Sequence, residues 1–119
     1  MTALGIDFGT KTIGLAYSLN GFIFTLPSIK NDTTKFDHLL SIITLYSIDH
    51  VYIGLSEGKV AKLTLKFVAA LRSMVKFPIE TVDESVSTIE AAGILKISQK
   101  SKRGLDSASA AVILRRVIS

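Results

Sequence analysis

One stretch near the start, Leu4-Gly5-Ile6-Asp7-Phe8-Gly9-Thr10-Lys11-Thr12-Ile13-Gly14-Leu15-Ala16, constrains this chain more than any other. It joins an apolar run ending in a single acid to a Gly-centred turn and a second apolar run. Ala3 to Ile6 suits the middle of a sheet, whereas an unpaired carboxylate there would be costly, so Asp7 is expected where the strand meets solvent or a cation. That makes Asp7 a candidate ligand. The turn offers Gly9, free to take positive φ, and then Thr10 and Lys11, whose hydroxyl and ammonium can face an anion bound beside the acid.

The two runs predict a β-hairpin of strands Leu4–Ile6 and Thr12–Ser18. Leu19-Asn20-Gly21 is a second turn, and Phe22–Leu26 follows as a third strand ended by Pro27. Asn31, Asp32 and Thr33 offer N-caps for a helix running to about Ser47, with Phe36, Leu39, Leu40 and Ile43 on one stripe. Val51–Leu55 follows that helix and reads as a buried strand parallel to the first. The next helix, about Lys59 to Val75, gathers Val60, Leu63, Phe67, Leu71 and Met74 on one side and leaves Lys62, Lys66 and Arg72 on a solvated face. Beyond Pro78 a fifth strand, Ile79–Val82, leads into Asp83-Glu84. Ser87-Thr88-Ile89-Glu90 has capping-box spacing for a short helix ending near Ile94. Lys96 to Gly104 is a basic loop containing Lys100, Lys102 and Arg103. The last helix, about Leu105 to Val117, opens with Asp106 and a run of small side chains that lets its backbone approach a sheet closely. Taken singly, Asp106 is explained by the helix dipole.

With right-handed crossovers this order gives an α/β fold: a five-stranded mixed sheet, a three-strand antiparallel meander and then parallel strands in the order 3-2-1-4-5, with helices on both faces. At 119 residues and 48% hydrophobic composition, residues 1–119 are expected to form one domain around one core. The first, fourth and fifth strands would bring Asp7, Glu57, Asp83 and Glu84 to one sheet edge, with Asp106 approaching from the last helix. Carboxylates converging there repel one another unless cations lie between them. Cysteine is absent and neither histidine is near these positions, so the ligands are all oxygen and suit Mg²⁺ or Mn²⁺ rather than a structural Zn²⁺. The net charge of +4 favours an anionic partner. Two such ions about 3.5–4 Å apart would support phosphodiester hydrolysis. No apolar run reaches bilayer-spanning length and the start lacks a basic leader, so no membrane association and a cytoplasmic location are expected.

Gly5-Ile6-Asp7-Phe8-Gly9-Thr10-Lys11 with Ile13-Gly14-Leu15-Ala16, then Ile53-Gly54-Leu55, Val82-Asp83-Glu84 with Ser87-Thr88 and Glu90-Ala91, and Asp106 with Ala110-Ala111 and Ile113-Leu114, resembles the YqgF/RuvX family. These are Holliday-junction-resolvase-like proteins of RNase H fold. The resemblance covers nearly the whole chain. It implies a nuclease that trims the precursor of 16S ribosomal RNA, with branched DNA as the other substrate, acting as a monomer or homodimer. Carried over position by position, the family's acids fall on Asp7, Glu84 and Asp106, as catalytic residues and ligands of two Mg²⁺ or Mn²⁺ ions. Glu84 is preferred to Asp83 because the family motif places its acid there, and strand alternation sends only one of the pair to the site. Thr10, Lys11, Lys100, Lys102 and Arg103 would hold the nucleic-acid backbone. Thr12 and Ser85 stand where the family usually has basic residues, which weakens phosphate positioning.

Two rival readings use the same residues. A non-catalytic nucleic-acid-binding module of this fold would bind through its cations alone, but acids facing a polyanion are unfavourable without metal. An ATP-binding protein of the actin-like superfamily shares the Gly5–Thr10 pattern, yet the second lobe and second phosphate loop it needs are missing. A P-loop is excluded because Thr10 precedes Lys11 and the segment that follows reads as strand.

Overall fold

A computed structural model of the chain describes residues 2–55, 58–83 and 102–118, with residues 102–107 and 118 described by their backbone alone. The elements are β1 (Ala3–Phe8), β2 (Thr12–Leu19), β3 (Phe22–Lys30), α1 (Lys35–Leu45), β4 (His50–Leu55), α2 (Lys59–Arg72), β5 (Ile79–Asp83) and α3 (Lys102–Ile118). The five strands form one sheet in the order β3-β2-β1-β4-β5. β1 pairs antiparallel with β2, and β2 with β3, whereas β4 runs parallel to both β1 and β5. This is the expected mixed sheet. The parallel strands β4 and β5 are joined through α2, as a crossover demands, and β1 reaches β4 through β2, β3 and α1.

Strand alternation divides β1 between two cores. Leu4, Ile6 and Phe8 point to one face, where Ile13, Leu15, Val51 and Ile53 join Leu39 and Ile43 of α1 and Phe67, Val68 and Leu71 of α2. Ala3 and Ala16 lie on the other face against Ala110, Ala111 and Leu114 of α3. Helices therefore cover both faces. The small side chains of α3 act as expected: Ala108, Ser109, Ala110 and Ala111 are all buried. A methyl group added at Gly5 would stand 2.7 Å from both the Ala110 carbonyl oxygen and Leu114 Cγ, so only glycine accommodates the helix at this depth.

Several element boundaries differ from the expected ones. β1 runs to Phe8 instead of stopping at Ile6, because Phe8 still has a buried place beside the Phe67 ring, 4.8 Å away between centroids. Pro27 does not end β3, which continues to Lys30. The register with β2 shifts between Ile13 and Leu15, and the extra β3 residue falls at Pro27-Ser28. An edge strand tolerates a proline at such a bulge because no ladder donor is lost. α3 begins at Lys102 rather than Leu105, so Lys102, Arg103 and Gly104 form its first turn and not a loop. The cost of a helical glycine, about 1 kcal/mol, is small beside the burial of the turns that follow. The short helix expected to end near Ile94 lies outside the described residues, as do Glu57, Glu84 and Lys100.

Candidate active site at the carboxyl edge of the sheet

Asp7 is half-buried in the last turn of the pleat before β1 ends, and it is paired on both sides. Its register partners are Gly14 of β2 and Gly54 of β4. Neither of these direct partners has a side chain, and Thr12 of β2, two residues before Gly14, shares the face of Asp7. Alternation puts Asp7 on the side of Ala3 and Gly5, the side packed by α3. Asp7 is thus inside the ladder, one residue short of the strand end expected for it.

Register also sets the face of Asp83. Gly54 pairs with Val82 and Leu55 with Asp83, so Val82 shares the face of Asp7 while Asp83 is turned to the opposite one. Asp83 is exposed, and its main-chain oxygen accepts a 2.6 Å hydrogen bond from Nη1 of Arg116. Of the expected acids, Asp7 is described in full, Asp106 through its backbone within α3, and Glu84 not at all. Among the described residues no group of three acids or histidines is assembled.

The turn that follows Asp7 is built tightly. The Gly9 amide donates to the Thr12 carbonyl at 3.0 Å. A Cβ at Gly9 would lie 2.5 Å from that same oxygen. Glycine is required here for room and not for a left-handed backbone, since the positive-φ glycines among the described residues are Gly21 and Gly58. Thr10 and Lys11 are exposed at the tip, as phosphate contacts require. Asn31, expected as a helix cap, serves this turn instead. Its Nδ2 donates to the Gly9 carbonyl at 2.7 Å and its amide to the Lys11 carbonyl at 2.9 Å. The N-cap of α1 is Thr34 and not one of the three expected residues; it makes no side-chain cap bond, and Asp32 precedes it with Oδ1 accepting from the Thr34 amide at 2.9 Å and the Thr34 hydroxyl at 2.6 Å. The hydroxyl bond and then the amide bond hold the Asp32 carboxyl below its usual pKa.

A second polar group lies at the other end of β4. His50 Nε2 and Glu80 Oε2 are 2.5 Å apart, and Tyr52 stacks on the His50 ring at 4.4 Å. Burial, and secondarily Glu80, raise the Tyr52 phenol above its ordinary pKa. His50 pairs in register with Ala3, at the far end of the strand from Gly54. His50 is thus remote from Asp7, and the oxygen donors of a carboxylate fit a hard cation such as Mg²⁺ or Mn²⁺.

A meander followed by two parallel strands, with helices on both faces and an acid within the central strand, defines an RNase H-like fold. The chain belongs to the RuvX family, described as Holliday junction resolvase, whose family model it matches over residues 1–119. A relative from Maridesulfovibrio salexigens named "Putative pre-16S rRNA nuclease" is 38% identical over 128 residues, covering 96% of this chain and 95% of the relative. Among solved structures, Thermus thermophilus RuvC in complex with a Holliday junction substrate superposes with a TM-score of 0.62 at 12% identity, covering 99% of this chain and 97% of that one. The fowlpox virus Holliday junction resolvase also gives a TM-score of 0.62, at 15% identity over 99% of this chain and 98% of its own. At such identities these two establish the fold.

Proposed function

We propose that this chain is a metal-dependent nuclease of one domain, residues 1–119, that hydrolyses phosphodiester bonds in structured RNA and matures the precursor of 16S ribosomal RNA. The observation that carries the reading is Asp7 within the central strand, flanked in register by Gly14 and Gly54. A half-buried carboxylate near the end of the central strand, opposite glycine on both neighbouring strands, suits an ion and a phosphate better than a packing role. The name of the relatives, matched along nearly their full length, supports the RNA substrate.

Asp7, Glu84 and Asp106 would hold Mg²⁺ or Mn²⁺, one or two ions, supplying activation of a water and neutralisation of charge at the leaving oxygen. A strand continued by one residue past Asp83 returns to the face of Asp7, which favours Glu84 over Asp83. Position 106 is one helical turn before Ala110, the residue lying on Gly5, and so falls on the sheet side of α3. Thr10 and Lys11, held by Asn31, would orient a phosphate from the turn. Lys100, Lys102 and Arg103 would engage the backbone of the nucleic acid next to it.

Branched DNA is the second reading, favoured by the Holliday junction bound to the T. thermophilus RuvC neighbour. A side-by-side assay separates the two: precursor 16S ribosomal RNA and a four-way DNA junction, each with Mg²⁺ or Mn²⁺ at matched salt. Preferential trimming of the RNA is expected. Preferential, symmetric cutting of the junction would reverse the assignment and imply a homodimer, since two symmetric cuts need two sites.

A further inference from the structure

The face of the sheet opposite Asp7 holds a cavity of about 350 Å³ that opens beside the Gly9–Lys11 turn. Its floor is aromatic: Phe8, Phe36 and Phe67, with Phe67 lying 4.8 Å from Phe8 and 5.6 Å from Phe36 between ring centroids. Its rim carries Thr10, Lys35 and Lys66, and no acid among the described residues lines it. Lys35 is held in place, with Nζ 3.2 Å from the Asp32 carbonyl oxygen and 5.1 Å from the centre of the Phe36 ring. Lys66, which the helical pattern assigns to a solvated face, forms no ion pair among the described residues.

We infer that this cavity binds one unpaired nucleotide of the nucleic-acid strand, its base against Phe36 and its phosphate between Lys66 and the Thr10 hydroxyl. The volume lies within the range of small-ligand sites, about 300–1,000 Å³, and is too small for a lipid chain with its headgroup. An apolar aromatic floor under a cationic rim is complementary to a planar ring bearing an anion. Phe36 is the half-buried ring of the three and is the one a base can reach, since Phe8 and Phe67 are 8% and 4% exposed. Position supplies the link to the strand. Asp7 and Phe8 are consecutive, and the pleat sends one to each face, so a strand crossing the sheet edge at the turn meets the carboxylate on one side and the cavity on the other. Asn31 lines the cavity and also clamps Gly9, so a nucleotide seated there contacts the support of the turn directly. The inference rests on the nucleic-acid reading above for the source of the nucleotide, but not on any bond being cut.

The test is titration followed by NMR, in EDTA so that cleavage plays no part. Adenosine 5′-monophosphate is expected to shift the resonances of Phe36, Lys66 and Ala70 saturably, with ribose 5-phosphate about tenfold weaker for want of a base to stack. Phe36→Leu, which keeps an apolar side chain in place, should weaken the nucleotide several-fold without changing ribose 5-phosphate. Lys66→Glu, on the helix surface, should weaken both. A single-stranded octanucleotide should displace the bound monophosphate. Equal affinity for the two phosphates, or shifts confined to residues outside the cavity, would overturn the site. Saturable binding that the octanucleotide fails to displace would overturn its assignment to the strand.

Discussion

Gly5 lies so close beneath α3 that a methyl group on its Cα would stand 2.7 Å from the carbonyl oxygen of Ala110. Leu114 could rotate away from the intruding group, but the helix backbone cannot. Gly5→Ala should therefore destabilise the fold by about 1–3 kcal/mol, the range typical of overpacking. Chemical denaturation checks this directly, and an unchanged midpoint would mean that α3 does not pack at this depth.

The Asn31 side chain donates to Gly9 across a sequence gap of 22 residues, tying the end of β3 to the turn after Asp7. Asn31→Ala leaves the Gly9 carbonyl without that donor, at a cost of about 1–3 kcal/mol if water does not replace it. Faster hydrogen exchange at the Gly9 amide, which donates to Thr12, is the expected local signature. Exchange no faster than in the wild type would show that the turn is rigid without its clamp.

Asp32 gives the start of α1 a dependence on acid. Its pKa is lowered by bonds to the Thr34 hydroxyl and amide, so its contribution is fully present above the ordinary carboxylate value and is lost as pH falls through the lowered folded value. Chemical shifts of Thr34 and Lys35 should therefore move together below about pH 4 while the amides of α2, which holds no acid, stay put. Asp32→Asn should abolish this step. Persistence of the step in that variant would assign it to another acid.

Strand order was readable because three short apolar runs with tight turns, followed by helix-separated strands, leave few right-handed arrangements. Asp7 stood out as one acid in an apolar run, and the run from Ser107 to Ala111 announced a close helix. Other features depend on what is distant in the chain. Asn31 precedes Asp32 and Thr33, all three good caps, and nothing local says that its side chain turns to Gly9. Pro27 reads as a terminator until β3 is known to be an edge strand with a bulge. Phe8, Phe36 and Phe67 come from three separate elements, each explained by its own apolar stripe, so the cavity they floor has no signature in the sequence. The face of Asp83 follows from the pairing of Leu55 with it, which pattern alone leaves open.

The proposed catalytic group is the Asp7 carboxylate, opposite Gly14 and Gly54 in register. The most direct test of this role compares wild type with Asp7→Asn for cleavage of precursor 16S ribosomal RNA in Mg²⁺ or Mn²⁺, with RNA binding measured in EDTA on the same preparations. The variant is expected to bind RNA as the wild type does and to cut it at least about 100-fold more slowly, the scale of losing a preorganised charge at a reacting centre. Equal cleavage by the two proteins would contradict that role.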